Sequence, residues 1–230
     1  MKSSKYYFKN FSPWEITLVD SPEMTIDMID AYIKAKKIIV SDCDGILTDG
    51  GHYYSETGKM YKRFGSCDKE AMKFMIKCGW IFLFVTDDPT GLEITNRRMY
   101  DWDVSGTFWF SRIVKLFDEG NEQLSRAFFI RSDVSPKERA EMIDGLKAKG
   151  VYTVFLGDSM SDLLAASKAD MFCTVDNAID KVKENASIVS KKMGGFCGFA
   201  DLMYKIHDKA SRIIVYNQSN QISNYQESTQ

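Results

Sequence analysis

Two clusters of acids stand where side chains could do chemistry. In Ser41-Asp42-Cys43-Asp44-Gly45-Ile46-Leu47-Thr48-Asp49-Gly50 two carboxylates lie two residues apart at the end of the apolar run KIIVSD (37–42). Side chains two apart in an extended chain point the same way. Like charges this close repel, so one of them should hold a cation or have its pKa raised. One carboxylate ionised as nucleophile or metal ligand, beside one able to carry a proton, is what acid/base chemistry needs. Cys43 alternates away from both acids and reads as a small core residue.

A second acidic cluster follows another apolar run, VYTVFLGD (151–158): Asp158 ends the strand and Asp162 comes one helical turn later. Oxygen-only ligands at a strand end suit a hard cation, and magnesium is the natural choice because it takes a few carboxylates and keeps room for phosphate. Taken alone, Asp158 could be a helix N-cap and Asp162 a solvated helix carboxylate. Thr86 ends the run WIFLFVT (80–86), and Lys137 sits just inside a helix opened by Ser135-Pro136. A threonine hydroxyl can bond a phosphoryl oxygen, and a lysine can hold a nucleophilic carboxylate ionised. By itself Lys137 would be read as a surface lysine.

The elements that must position these residues follow from periodicity. Short β-branched or aromatic runs at 37–42, 80–86, 127–131, 151–158 and 170–176 alternate with amphipathic segments. The amphipathic segments are 67–78, 91–100, 111–125, 136–149, 159–167 and 178–184. That alternation predicts an α/β fold with a parallel sheet, whose ligands gather at the carboxyl ends of the strands. Between the first strand and the first helix, GGHYYSETGKMYKRF (50–64) predicts a β-hairpin placed as a flap over the first strand's end. Residues 1–36 read as an N-terminal extension, 37–216 as the working domain and 217–230 as a polar, disordered tail.

Composition narrows the function. The 230 residues carry 30 basic and 32 acidic side chains, a net charge of −2, too balanced for binding carried by phosphate neutralisation along a nucleic acid. No apolar run approaches the ~20 residues needed to cross a bilayer, and the start lacks a secretory pattern, so a cytoplasmic protein without membrane or nucleic-acid partners is expected. The five cysteines are scattered, without zinc-like spacing, and read as reduced thiols.

The order DxDGxLTDG (42–50), strand-end Thr86, Lys137 and GDxxxD (157–162) resembles the four motifs of the haloacid dehalogenase (HAD) superfamily of phosphohydrolases, over roughly residues 37 to 208. The hairpin after Gly50, the segment FGSCD (64–68) and GGFCG (194–198) look like its small capless branch, which contains 3-deoxy-manno-octulosonate 8-phosphate phosphatase. The resemblance implies a Rossmann-like HAD core, a central parallel sheet flanked by helices with a hairpin flap and no large cap domain. It also implies a homotetramer whose hairpins help close neighbouring sites.

Carried onto this sequence, the resemblance makes Asp42 the nucleophile, taking the phosphoryl group as an aspartyl-phosphate, and Asp44 the acid and base. Asp42, the Asp44 carbonyl and Asp158 would hold Mg²⁺, with Asp162 steadying the metal shell, while Thr86 and Lys137 bind phosphoryl oxygens and Asp42. Gly45, His52, Asp87, Gly194 and Gly195 fall at substrate-binding positions. The expected activity is hydrolysis of a small sugar or sugar-acid phosphate. Alternatives are a nucleotide or phosphoprotein phosphatase of the same fold, or a catalytically silent scaffold.

Two departures stand out. The branch usually follows its strand-end threonine with Gly-Arg, whereas here Asp87-Asp88 follow Thr86. An arginine suited to an anionic substrate is replaced by acid, which predicts a less anionic leaving group. The aromatic-rich stretch 101–125 is longer than the compact branch shows and reads as packing or a subunit contact.

Overall fold

The computed structural model describes residues 37–56, 58–88, 91, 94–95, 97–99, 128–131 (backbone only) and 134–210. The expected extension 1–36, the stretch 101–125 and the tail 217–230 lie outside the described residues. Six parallel strands form one sheet in the order β5-β4-β1-β6-β7-β8, with β1 at Lys37–Asp42, β4 at Ile81–Val85, β5 at Phe128–Arg131, β6 at Tyr152–Leu156, β7 at Met171–Thr174 and β8 at Ile188–Val189. β2 (Tyr53–Ser55) and β3 (Gly58–Tyr61) pair antiparallel as the separate hairpin predicted after the first strand.

Helices among the described residues include α1 (Asp68–Lys77), α2 (Pro136–Ala148), α3 (Leu163–Ala166), α4 (Asp180–Asn185) and α5 (198–210), and residues 94–95 and 97–99 are also helical. Alternating strand residues feed two cores. Ile39, Phe82, Phe84, Val154 and Leu156 face α1 and α5, meeting Met72, Met75, Phe199, Leu202 and Met203. Ile38, Val40, Ile81, Leu83, Val85 and Phe155 face the other way, meeting Met142 and Ile143 of α2 and Val182 of α4. A sheet covered on both faces explains why its strands are continuous apolar runs rather than alternating ones.

The predicted segment 159–167 is divided: a 3₁₀ turn at Met160–Asp162 leads into the single turn of α3. Cys43 is fully buried in the first core, as its alternation predicted. No helix among the described residues is long and apolar enough to cross a membrane.

Candidate active site

Strand register assembles the site. β1 lies between β4 and β6, with Asp42 level with Val85 and Ser41 level with Leu156. The next residues of the neighbouring strands are therefore Thr86 on one side and Gly157-Asp158 on the other, all at the carboxyl edge where open α/β sheets bind ligands. Asp42 is buried; its Oδ1 accepts the Cys43 N–H at 2.7 Å. Asp162 is fully buried and accepts from the Asp158 and Ser159 N–H groups (3.2 and 3.0 Å) and the Ser159 hydroxyl (2.8 Å). That network folds the 3₁₀ turn back onto the end of β6. Carboxylate oxygens of Asp42, Asp158 and Asp162 all lie within 4.8 Å of one another, a three-oxygen donor set that fits a hard divalent cation.

Gly45 shows why this loop needs its glycine. Its φ is +82°, and a Cβ there would fall 2.0 Å from Asp158 Oδ2. Any side chain would strain the backbone and displace a carboxylate of the cluster.

The cation that meets the acids is not Lys137, which the structure places outside the site. The Lys137 side chain is 80% exposed and pairs with Glu141 one turn along α2. Arg139 takes the position instead. Its Nη1 donates to Asp42 Oδ2 at 3.1 Å and Asp162 Oδ1 at 2.7 Å, while its Nε donates to the Val134 carbonyl at 3.1 Å. Helix phase is the cause: residues two apart on a helix face ~200° apart. The face carrying Arg139, Ala140 and Ile143 is buried against the sheet, which turns Lys137 and Glu141 to solvent. The Ser135–Glu138 capping box and Pro136 fix where the helix starts, and with it this phase.

A second buried cation comes from the end of the hairpin. Lys62, just past β3, donates to Asp44 Oδ2 at 2.9 Å and to the Thr95 hydroxyl at 3.3 Å, and pairs with Asp88 at 3.4 Å. Thr48 donates its hydroxyl to Asp44 Oδ1 at 3.2 Å, so both Asp44 oxygens are oriented. Asp88, whose N–H donates to Thr86 Oγ1 at 3.1 Å, also pairs with Lys59. The acid standing where the resemblance expects arginine thus ties two hairpin lysines to the end of β4.

The remaining sequence candidates divide. Gly194 closes tightly on the Asp44 loop: a Cβ there would lie 2.0 Å from the Gly45 carbonyl oxygen and 2.4 Å from that of Thr48. Gly195 follows against Asp49 and Arg63 backbone. Asn177, unnoticed in the sequence, bridges the two loops, donating to the Gly45 carbonyl at 3.5 Å and accepting from the Gly194 N–H at 2.8 Å. Asp87 is exposed. His52 is also exposed, its ring beside Tyr54 on the hairpin.

Electrostatics explain why the acids want a counter-ion. Four carboxylates (Asp42, Asp44, Asp158, Asp162) face two buried cations, Arg139 and Lys62, leaving an excess of two negative charges when all are ionised. Burial, then repulsion from Asp162, pushes Asp42 up to about 8, only partly opposed by Arg139. Burial and Asp162 push Asp158 up to about 7, and burial takes Asp68, beneath α5, to about 6. Each group binds its proton more tightly folded than unfolded, so its contribution to stability is intact below about pH 4 and is lost as pH rises through the folded value. In chelating buffer the melting temperature should therefore fall between about pH 4 and pH 8 and then level off. A divalent cation held by the cluster should flatten that fall. A melting temperature that climbs with pH across this window in chelator would contradict the arrangement.

The architecture defines a class: an α/β core with one parallel sheet covered by helices on both faces and a separate hairpin after the first strand, with no large cap domain among the described residues. No family model matches the sequence. Among solved structures, the chain is similar to the cobalt-bound deoxy-D-mannose-octulosonate 8-phosphate phosphatase of Haemophilus influenzae, with TM-score 0.57, 22% identity, and 77% of this chain and 87% of that one covered. It is also similar to the 3-deoxy-D-manno-octulosonate 8-phosphate phosphatase of Moraxella catarrhalis, solved with magnesium ion, phosphate ion and KDO (TM-score 0.54, 20% identity, 82% and 99% covered). A third is a Legionella pneumophila protein assigned to HAD subfamily III A (TM-score 0.51, 19% identity, 84% and 96% covered). At these identities the likeness establishes the fold.

Proposed function

We propose that the chain is a divalent-metal-dependent phosphomonoesterase acting on a small sugar phosphate. The observation that carries this reading is the convergence of Asp42, Asp158 and Asp162 from two strand ends, with Arg139 spanning Asp42 and Asp162. The same fold in phosphatases solved with cobalt or with magnesium and phosphate supports it.

Asp42 attacks phosphorus through its carboxylate and forms an aspartyl-phosphate, splitting the hydrolysis into two easier steps. Arg139 holds Asp42 in place and favours its ionised form for that attack. Thr86, at the adjacent strand end, offers its hydroxyl to a phosphoryl oxygen. Asp44, oriented by Thr48 and Lys62, gives a proton to the leaving alcohol and then takes one from the water that opens the intermediate. Asp42, Asp158, Asp162 and the Asp44 carbonyl would hold a magnesium-class cation, which supplies charge neutralisation on the transferring group.

The substrate's leaving group follows from Asp88. Asp88 is negative, and the two described lysines beside it, Lys59 and Lys62, are both committed to acids rather than offered to a substrate carboxylate. Neutral sugar phosphates should be hydrolysed faster than sugar-acid phosphates. The test is magnesium-dependent release of nitrophenol from p-nitrophenyl phosphate, followed by a panel of phosphorylated metabolites. Faster turnover of sugar-acid phosphates would overturn the leaving-group assignment. Preference for nucleotides or phosphopeptides would overturn the small-substrate reading, and silence on every phosphate would leave a scaffold.

A further inference from the structure

Cys67 and Cys197, far apart in sequence, are side by side in the fold. The Ser66 hydroxyl lies 3.7 Å from both sulfurs and so gathers the two thiols around one oxygen. Cys67 is the exposed N-cap residue of α1, while Cys197 is half-buried in the turn leading into α5. The other cysteines differ: Cys43 and Cys173 are buried in the cores, and Cys78 sits at the far end of α1. Only the 67–197 pair, among the described residues, combines two thiols on one shared hydroxyl with solvent access.

The backbone marks the same place. Cys197 is the one described non-glycine residue with a left-handed conformation, φ 67°. Such a residue is disfavoured for any side chain with a Cβ, and it persists only where surrounding structure holds it. Here the holding structure is the Gly194-Gly195 turn, seated against Gly45, Thr48 and Asp49.

We propose that Cys67 and Cys197 form a reversible dithiol–disulfide centre, oxidised by low-molecular-weight disulfides of the glutathione class, that clamps the 194–198 turn to the start of α1. The chemistry balances as thiol–disulfide exchange. A thiolate of the pair attacks one sulfur of glutathione disulfide and expels a glutathione thiolate; the second thiol, losing its proton, attacks the mixed disulfide and expels the other. The protein gives up two electrons and two protons, and two molecules of reduced glutathione leave. Two sulfurs gathered around the one Ser66 oxygen are within reach of bonding distance through side-chain rotation.

The acidities assign the roles. Burial pushes Cys197 up, but hydrogen bonds donated by the Cys67 thiol, the Cys67 N–H and Ser66 outweigh it and hold the thiol below its usual value. Cys67, as the donor to Cys197, is held above its usual value. Cys197 is thus the thiolate and Cys67 the partner that resolves the mixed disulfide. This centre stands whether or not the Asp42 cluster hydrolyses phosphate.

The experiment is incubation of the full chain with glutathione disulfide, followed by mass analysis of a non-reduced digest. A peptide pair joining Cys67 to Cys197, lighter by two hydrogens, free of glutathione and restored by dithiothreitol, is the expected result. The oxidised protein should melt several degrees higher, a rise absent in Cys67→Ser. A stable glutathione adduct on either cysteine, a bridge through Cys78, or five thiols left free would overturn the proposal. Should Cys67→Ser fold poorly, the digest of the unsubstituted chain still decides.

Discussion

Asp42→Asn should abolish magnesium-dependent phosphate hydrolysis, by a factor on the order of 10⁴ or more, while leaving the fold intact. The size of the loss follows from removing a nucleophile outright; residual rates in such variants come only from binding and electrostatic stabilisation. The change is isosteric, so the amide oxygen can still accept the Cys43 N–H that Asp42 Oδ1 accepts now. It also removes a charge that Asp158 and Asp162 oppose, while Arg139 keeps its 2.7 Å partner in Asp162. In metal-free buffer at neutral pH the variant should therefore melt no lower than the unsubstituted protein. The informative result is this split: activity gone, stability kept. Turnover of p-nitrophenyl phosphate within about tenfold of the original would remove Asp42 from the role of nucleophile.

What could be read ahead of the structure, and what could not, divides along local and non-local lines. Apolar runs ending in Asp42, Thr86 and Asp158 were legible because a parallel sheet buried on both faces leaves uninterrupted hydrophobic strands, and a strand's end is where its polar residue becomes available. The hairpin was legible from its glycine turn. Lys137 was mistaken for want of helix phase. The signal was present in the spacing: Met142, Ile143 and Leu146 recur at helical intervals, and one turn back from Met142 (three residues) or from Ile143 (four) is Arg139, not Lys137.

Lys62 carried no comparable signal. Its partners Asp44 and Asp88 lie on other elements, and an ion pair between distant segments leaves no periodic trace. Asn177 is similar, since its value lies in joining the Gly45 and Gly194 loops, which only the folded chain brings together.

Arg139→Met and Lys137→Met form the pair of substitutions that separates the sequence motif from the folded site. Arg139 is 2% exposed and is shared by two carboxylates, one of them fully buried. Removing one partner of a buried ionic cluster typically costs about 3–5 kcal/mol, because the charges left behind lose compensation without regaining water. Two relaxations reduce that figure: the carboxyls can bind protons, and a divalent cation can take up part of the charge. Activity has no such escape. Without the guanidinium, Asp42 is neither aligned nor favoured in its ionised form, and a loss on the order of 10² to 10³ is expected, comparable with deleting one preorganised electrostatic contact.

Arg139→Lys should fall between, since a point charge can approach one carboxylate but lacks the Nε that anchors the group to the Val134 carbonyl. Lys137→Met breaks only an exposed pair with Glu141, so stability should shift by less than about 0.5 kcal/mol and turnover should stay near the original. If Lys137→Met lost more activity than Arg139→Met, the lysine would be the working cation, and the phase of α2 described here would be wrong.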